Sequence, residues 1–293
     1  MCLSNAGHDE GRSVSMKPLN SLLNNLFFAE NPRPDYWLET RRPFCNLAFL
    51  LPLLLAYEVG VWLISDSVGD SARNGADAWM RLGLQQLGLD LLWLLPALLV
   101  GALVGWHCIS RQPWHMSLDT LGGMLAESLL FAFVLILLGQ LTDCCFRQTA
   151  ALNLPLGVPV WNPALLTKLV AFMGAGIYEE FFFRLCLIPM TYVLLRAILV
   201  PHVWSVGITI VLTSLLFSLA HYISQTAEGQ SLTLLIETIA RVKSDRTLWF
   251  SFVFRTLAGM FFASLFFLRG FGITVGTHAV YDVFVGVVLI TEV

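Results

Sequence analysis

Seven long apolar runs exclude a water-soluble fold for this chain. They lie near 44–64, 89–109, 120–141, 164–199, 204–223, 248–268 and 271–291, and all but the longer fourth are close to the length, about 20 residues, that an α-helix needs to cross roughly 30 Å of hydrocarbon. In lipid every backbone N–H and C=O must be satisfied inside its own segment, so runs of this length fold as helices. The predicted fold is all-α: a polytopic helical membrane bundle with about seven to eight transmembrane helices. The fourth run is too long for one straight crossing, and Pro189 within it predicts a kink, or a membrane-parallel portion followed by the true span. Composition agrees, with 57% hydrophobic and 13% charged residues and a mean hydropathy of +0.73. A net charge of −3 is too small to imply nucleic acid or another polyelectrolyte as partner.

Residues 1–43 read as a polar N-terminal arm, because they contain Pro32, Pro34 and Pro43 and charges of both signs, and no cleavable signal is expected there. Within the arm Leu19, Leu22, Leu23, Leu26 and Phe27 recur at helical spacing and predict a helix on the membrane surface. Residues 44–293 form the transmembrane bundle. Arg12, Lys17, Arg33, Arg41 and Arg42 favour a cytoplasmic N-terminus, although Arg241, Lys243 and Arg246 then lie outside. Between the late runs, Leu232, Leu235, Ile236 and Ile239 predict a short amphipathic helix against the bilayer. The six cysteines have no metal-ligand spacing and read as small apolar fillers.

Function is sought where charge stands in hydrocarbon. The stretch Glu179-Glu180-Phe181-Phe182-Phe183-Arg184 sets three ionisable groups in a strongly apolar run, where each costs roughly 2.5 to 3.5 kcal/mol on insertion scales. On a helix Arg184 lies about 40° from Glu180 but about 140° from Glu179. Glu180 therefore pairs with Arg184, an arrangement that is also an ordinary structural one, while Glu179 is left without a local partner. His221 ends Phe217-Ser218-Leu219-Ala220-His221, and His278 and Asp282 stand four apart on one face of the final run. A lone buried histidine is more often a satisfied core residue than a catalyst. Intramembrane polar groups on three of the last four runs must converge on one another or on water, which puts the predicted site among the last four helices. Glu58, Glu127 and Arg255 are further polar groups in apolar runs, expected to satisfy one another between helices.

The three motifs, EEFFFR (Glu179 to Arg184), FSLAH (Phe217 to His221) and HAVYD (His278 to Asp282), resemble the EExxxR, FxxxH and HxxxN/D motifs of the CAAX prenyl endopeptidase type II and bacteriocin-processing (CPBP, or ABI) intramembrane protease family. The resemblance covers roughly 164–291, a protease-like core, and implies an intramembrane endopeptidase. It implies that Glu179 is the catalytic glutamate, that Glu180 and Arg184 are its supporting pair, that His221 helps position the attacking water, and that His278 lies near the scissile carbonyl. Asp282 occupies a position where CAAX-cleaving members usually have Asn. An Asn amide donates to a developing oxyanion and an ionised Asp does not, so Asp282 is expected to orient His278, or to donate only when protonated.

Peptide hydrolysis needs a base for water, a donor for the oxyanion and an acid for the leaving amine, and a carboxylate in a low-dielectric cavity is a stronger base than an exposed one. No cofactor is expected. The alternative is a zinc-dependent protease on the same residues, with Glu179, His221 and His278 as ligands; the chain has no H-E-x-x-H, and the metal-free reading is preferred. Ser218 lacks a G-x-S-x-G elbow, which argues against a serine hydrolase. A non-catalytic membrane scaffold or partner-binding protein is the remaining alternative, and a transporter is disfavoured because no paired broken helices recur in two halves. The expected partners are the bilayer and a membrane-associated protein or peptide substrate, with or without a lipid anchor.

Overall fold

The computed structural model describes residues 36–68, 73–147, 163–223 and 231–289, and among these there are helices and turns but no strand. The membrane-surface helix expected near Leu19 to Phe28 lies outside the described residues. After a short turn of helix at Tyr36–Glu39 come α1 (Pro43–Val68), α2 (Gly75–Gln86), α3 (Leu94–Ser110), α4 (Leu118–Arg147) and α5 (Pro163–Gly174). The backbone continues from α5 as π-helix over Ala175–Glu179 and Phe181–Leu187 before tightening into α6 (Ile188–Ala197). Then follow α7 (His202–Ala220), α8 (Ser231–Ser244), α9 (Trp249–Arg269) and α10 (Phe271–Val283), the last running into π-helix at Phe284–Leu289.

Four helices among the described residues are long and apolar enough to cross a membrane: Pro43–Ser65, Leu118–Phe146, His202–Ala220 and Arg246–Arg269. These coincide with four of the seven expected spans, and the count of seven to eight is not reached by this measure. The reason is geometric. Leu94–Ser110 has only 17 residues, about 25 Å at 1.5 Å per residue, and the expected fourth and seventh spans are divided between α-helix and π-helix. The irregularity in the fourth run is not centred on Pro189. Pro189 stands in the first turn of α6, where the missing N–H costs little, and the departure from α geometry lies upstream, on the stretch that carries Glu179, Glu180 and Arg184.

The last helix, α10, is the hub. Phe271 to Ala279 are all buried, because α10 packs against α1, α4, α5, the first π segment and α9. Small residues allow the approach: a Cβ on Gly176 would stand 2.7 Å from the backbone nitrogen of Ala279, and one on Gly272 would stand 2.8 Å from Asn46 Oδ1. The main apolar core joins Leu50, Leu54 and Tyr57 of α1, Leu99 and Leu103 of α3, Ile177 and Tyr178 of the π segment, and Val275 of α10. Outward faces carry large exposed apolar side chains, among them Trp62, Leu63, Phe133, Val193 and Trp204, a surface suited to lipid rather than water. The amphipathic helix expected after residue 224 forms as α8, with Ile236 and Ile239 exposed and Val242 buried.

Candidate active site

Three helical stretches bring the six expected residues together. Glu180 and Arg184, four apart, form a buried ion pair with Oε2 to Nε at 3.0 Å, the pairing predicted from helix geometry even though the backbone is π-wound there. The guanidinium also lies over the Phe217 ring, 4.6 Å from its centroid, and Nη2 donates to the Gly259 carbonyl at 3.4 Å. The second oxygen of Glu180 accepts from His278 Nδ1 at 2.7 Å. One buried carboxylate thus joins the π segment to α10.

Glu179 faces the other way, as its helical position predicted. Its Oε2 lies 3.7 Å from His221 Nε2 and 3.9 Å from His278 Nε2. His221 Nδ1 is 2.8 Å from the Phe217 carbonyl, and a carbonyl can only accept, so Nδ1 carries a proton and Nε2 is the nitrogen turned towards Glu179. Separations just under 4 Å between two such groups suit one bridging water. Glu179 has a side-chain exposure of 13% and His221 of 27%, so the pair borders an open space while Glu180 and Arg184 do not.

His278 is held at both nitrogens. Glu180 takes the Nδ1 proton, and Asp282 Oδ2 stands 3.4 Å from Nε2, on the same side as Glu179. Phe262 stacks on the ring at 4.5 Å and 20°. Asp282 is expected to orient His278 or to donate when protonated; of the two carboxylates at the ring, the shorter contact and the buried position belong to Glu180. Asp282 instead approaches Nε2, the nitrogen that also lies nearest Glu179.

The cavity beside Glu179 has a volume of about 540 Å³ and is lined mainly by apolar side chains, including Trp79, Met80, Phe182, Phe183 and Ile223. One wall is α2, an element absent from the expected spans. Asn74, at the start of α2, was not among the expected residues, yet its Nδ2 lies 3.4 Å from Glu179 Oε1. Asn74 followed by Asp77 three positions later is a legible helix start, but nothing local links it to a glutamate 105 positions away.

The outlying polar groups do not satisfy one another. Glu58 accepts from Tyr178 at 2.5 Å and faces Arg81 at 3.7 Å, while Glu127 binds Arg269 through two bonds of 2.6 and 2.7 Å. Arg255 donates to the Tyr222 hydroxyl at 3.2 Å. The charged partners, Arg81 of α2 and Arg269 at the end of α9, stand outside the apolar runs, where the partners were expected. Ser218 donates to the Phe252 carbonyl at 2.8 Å, a structural use of its hydroxyl. Among the described residues no three His, Cys, Asp or Glu side chains are arranged to hold a metal ion.

Residues 160–284 match the model of the family described as Type II CAAX prenyl endopeptidase Rce1-like. The match contains all three motifs and bears out the resemblance read from them. Neither the comparison with curated proteins nor that with solved structures found a match. This match over 160–284 and four helices long and apolar enough to cross a bilayer together support an integral membrane protein.

Proposed function

We propose that this chain is a multi-pass intramembrane endopeptidase that hydrolyses a peptide bond with water activated by Glu179. The observation that carries the reading is the convergence on Glu179 Oε2 of Nε2 from both His221 and His278, at 3.7 and 3.9 Å, beside an apolar cavity. A water between Glu179 and His221 donates to both, gives one proton to Glu179 and attacks the scissile carbonyl carbon. The carbonyl oxygen becomes an oxyanion, and His278, protonated at Nε2 and oriented at Nδ1 by Glu180, donates to it. Glu179 then passes its proton to the leaving nitrogen as the C–N bond breaks, which returns the carboxylate. Asp282 shares His278 Nε2 with the oxyanion and is the group that substrate must displace or find protonated. Arg184 acts at a distance by balancing the charge of Glu180.

The lining of the cavity favours a membrane-associated peptide with apolar side chains or a lipid anchor near the cut. Two fluorescence-quenched peptides test this, one ending in a farnesylated Cys followed by two aliphatic residues and a final residue with a free carboxylate, the other identical without the farnesyl group. Protein in lipid nanodiscs is expected to cleave at least one, and Glu179→Gln to remain folded with turnover lost. A Glu179→Gln protein as fast as wild type would sink the assignment. Turnover is also expected to survive exhaustive chelation and dialysis; loss that stoichiometric zinc specifically restores would instead make Glu179, His221 and His278 ligands.

A further inference from the structure

The start of α2 contributes to this site from outside the matched region 160–284. Asn74 caps the helix: its Oδ1 accepts from Ala76 N at 2.8 Å, and its own backbone N–H donates to the Tyr57 hydroxyl at 3.4 Å. Because Oδ1 is committed to a backbone donor, the orientation of the amide is decided, and Nδ2 is the end presented to Glu179. The cap is braced on both sides. Tyr57 Oη donates to Asp77 Oδ2 at 2.7 Å, Arg73 and Arg81 bind the same carboxylate at 2.8 and 2.6 Å, and Tyr178, the neighbour of Glu179, donates to Glu58. Gly174 makes room, since a Cβ there would stand 3.1 Å from Asn74 Cβ.

We propose that Asn74 is a positioning residue for Glu179: by donating from Nδ2 to Oε1, it fixes the carboxylate with Oε2 turned towards His221 and His278. The inference rests on reading Glu179 as the base. Oε2 has no hydrogen-bond partner within the protein, whereas Oε1 has Asn74, so the two oxygens of one carboxylate are given different tasks. The bond is long at 3.4 Å, and contacts of this kind tighten when substrate is bound.

Capping alone does not explain the choice of asparagine, because Asn, Asp and Ser cap a helix about equally well. Asn74→Asp and Asn74→Ser therefore separate the two roles: both keep the cap, and neither keeps the amide donor. The first readout needs no turnover. In infrared difference spectra the carboxyl band of Glu179 is identified as the one lost in Glu179→Gln, and it is expected to shift in both Asn74 variants at unchanged melting temperature. The second is turnover of whichever quenched peptide the wild type cleaves, where kcat is expected to fall about tenfold to a hundredfold with KM within about twofold, and further in Asn74→Asp than in Asn74→Ser. An unmoved Glu179 band in both variants overturns the inference, as does wild-type kcat in both while Glu179→Gln is inactive. An active Glu179→Gln would overturn the reading of Glu179 as base, and the band would still report whether Asn74 holds it.

Discussion

Asp282 is the residue where this chain departs from the asparagine usual in CAAX-cleaving members, and its position 3.4 Å from His278 Nε2 makes the departure testable. A carboxylate beside the donor nitrogen stabilises imidazolium but also competes with substrate for its proton. Asp282→Asn removes the competitor and adds an amide donor, so the rate is expected to equal or exceed that of wild type, with the profile of rate against pH altered. Asp282→Ala removes the counter-charge without adding a donor and is expected to lower the rate. Wild-type rates and profiles in both variants would take Asp282 out of the chemistry. Glu180 is different in kind, because it is buried between Arg184 and His278 and its loss strands two donors at once.

Among the elements, the π-wound stretch from Ala175 to Leu187 does most to shape the site. A π segment is widened relative to α-helix and is frequent at functional sites; here it carries Glu179 and Arg184, with Glu180 at the junction between its two parts. Its approach to α10 depends on Gly176, where an added Cβ would lie 2.7 Å from both the nitrogen and the Cβ of Ala279. Backbone cannot swing aside as a flexible side chain can. Gly176→Ala is expected to part the two helices, lengthen the 2.7 Å bond between Glu180 and His278, cost about 1 to 3 kcal/mol of stability and reduce turnover. Thermal melts and peptide assays at wild-type values would show that the close approach does not govern the site.

At the scale of the molecule, the bundle is held by apolar packing on a buried hub and by a few ion pairs between distant segments. Arg269 joins the end of α9 to Glu127 in α4 by two short bonds, and its guanidinium lies 3.7 Å from the centroid of the Trp37 ring. Arg269→Gln leaves Glu127 facing a neutral amide in a largely apolar setting and is expected to cost about 3 kcal/mol, read as a lower melting temperature in nanodiscs. Peptide cleavage below that temperature is expected to persist, since neither residue touches the site. An unchanged melt would make the pair incidental to the fold.

Local geometry was legible in the residues alone. Four runs of sufficient length became helices long enough to span, the i,i+4 pairs Glu180 with Arg184 and His278 with Asp282 met as helical spacing requires, and Glu179 stood apart from Glu180. These depend only on rise and rotation per residue. The π winding, the partners of Glu58, Glu127 and Arg255, the grip of Glu180 on His278 across 98 positions and that of Asn74 on Glu179 across 105 were not legible. Each depends on which helix faces come together, and in lipid that choice is made by close packing at small residues and by pairing of polar groups between segments. The sequence determined which side chains had to find partners in the bilayer; the packing of α10, α7, α2 and the π stretch decided which partners they found.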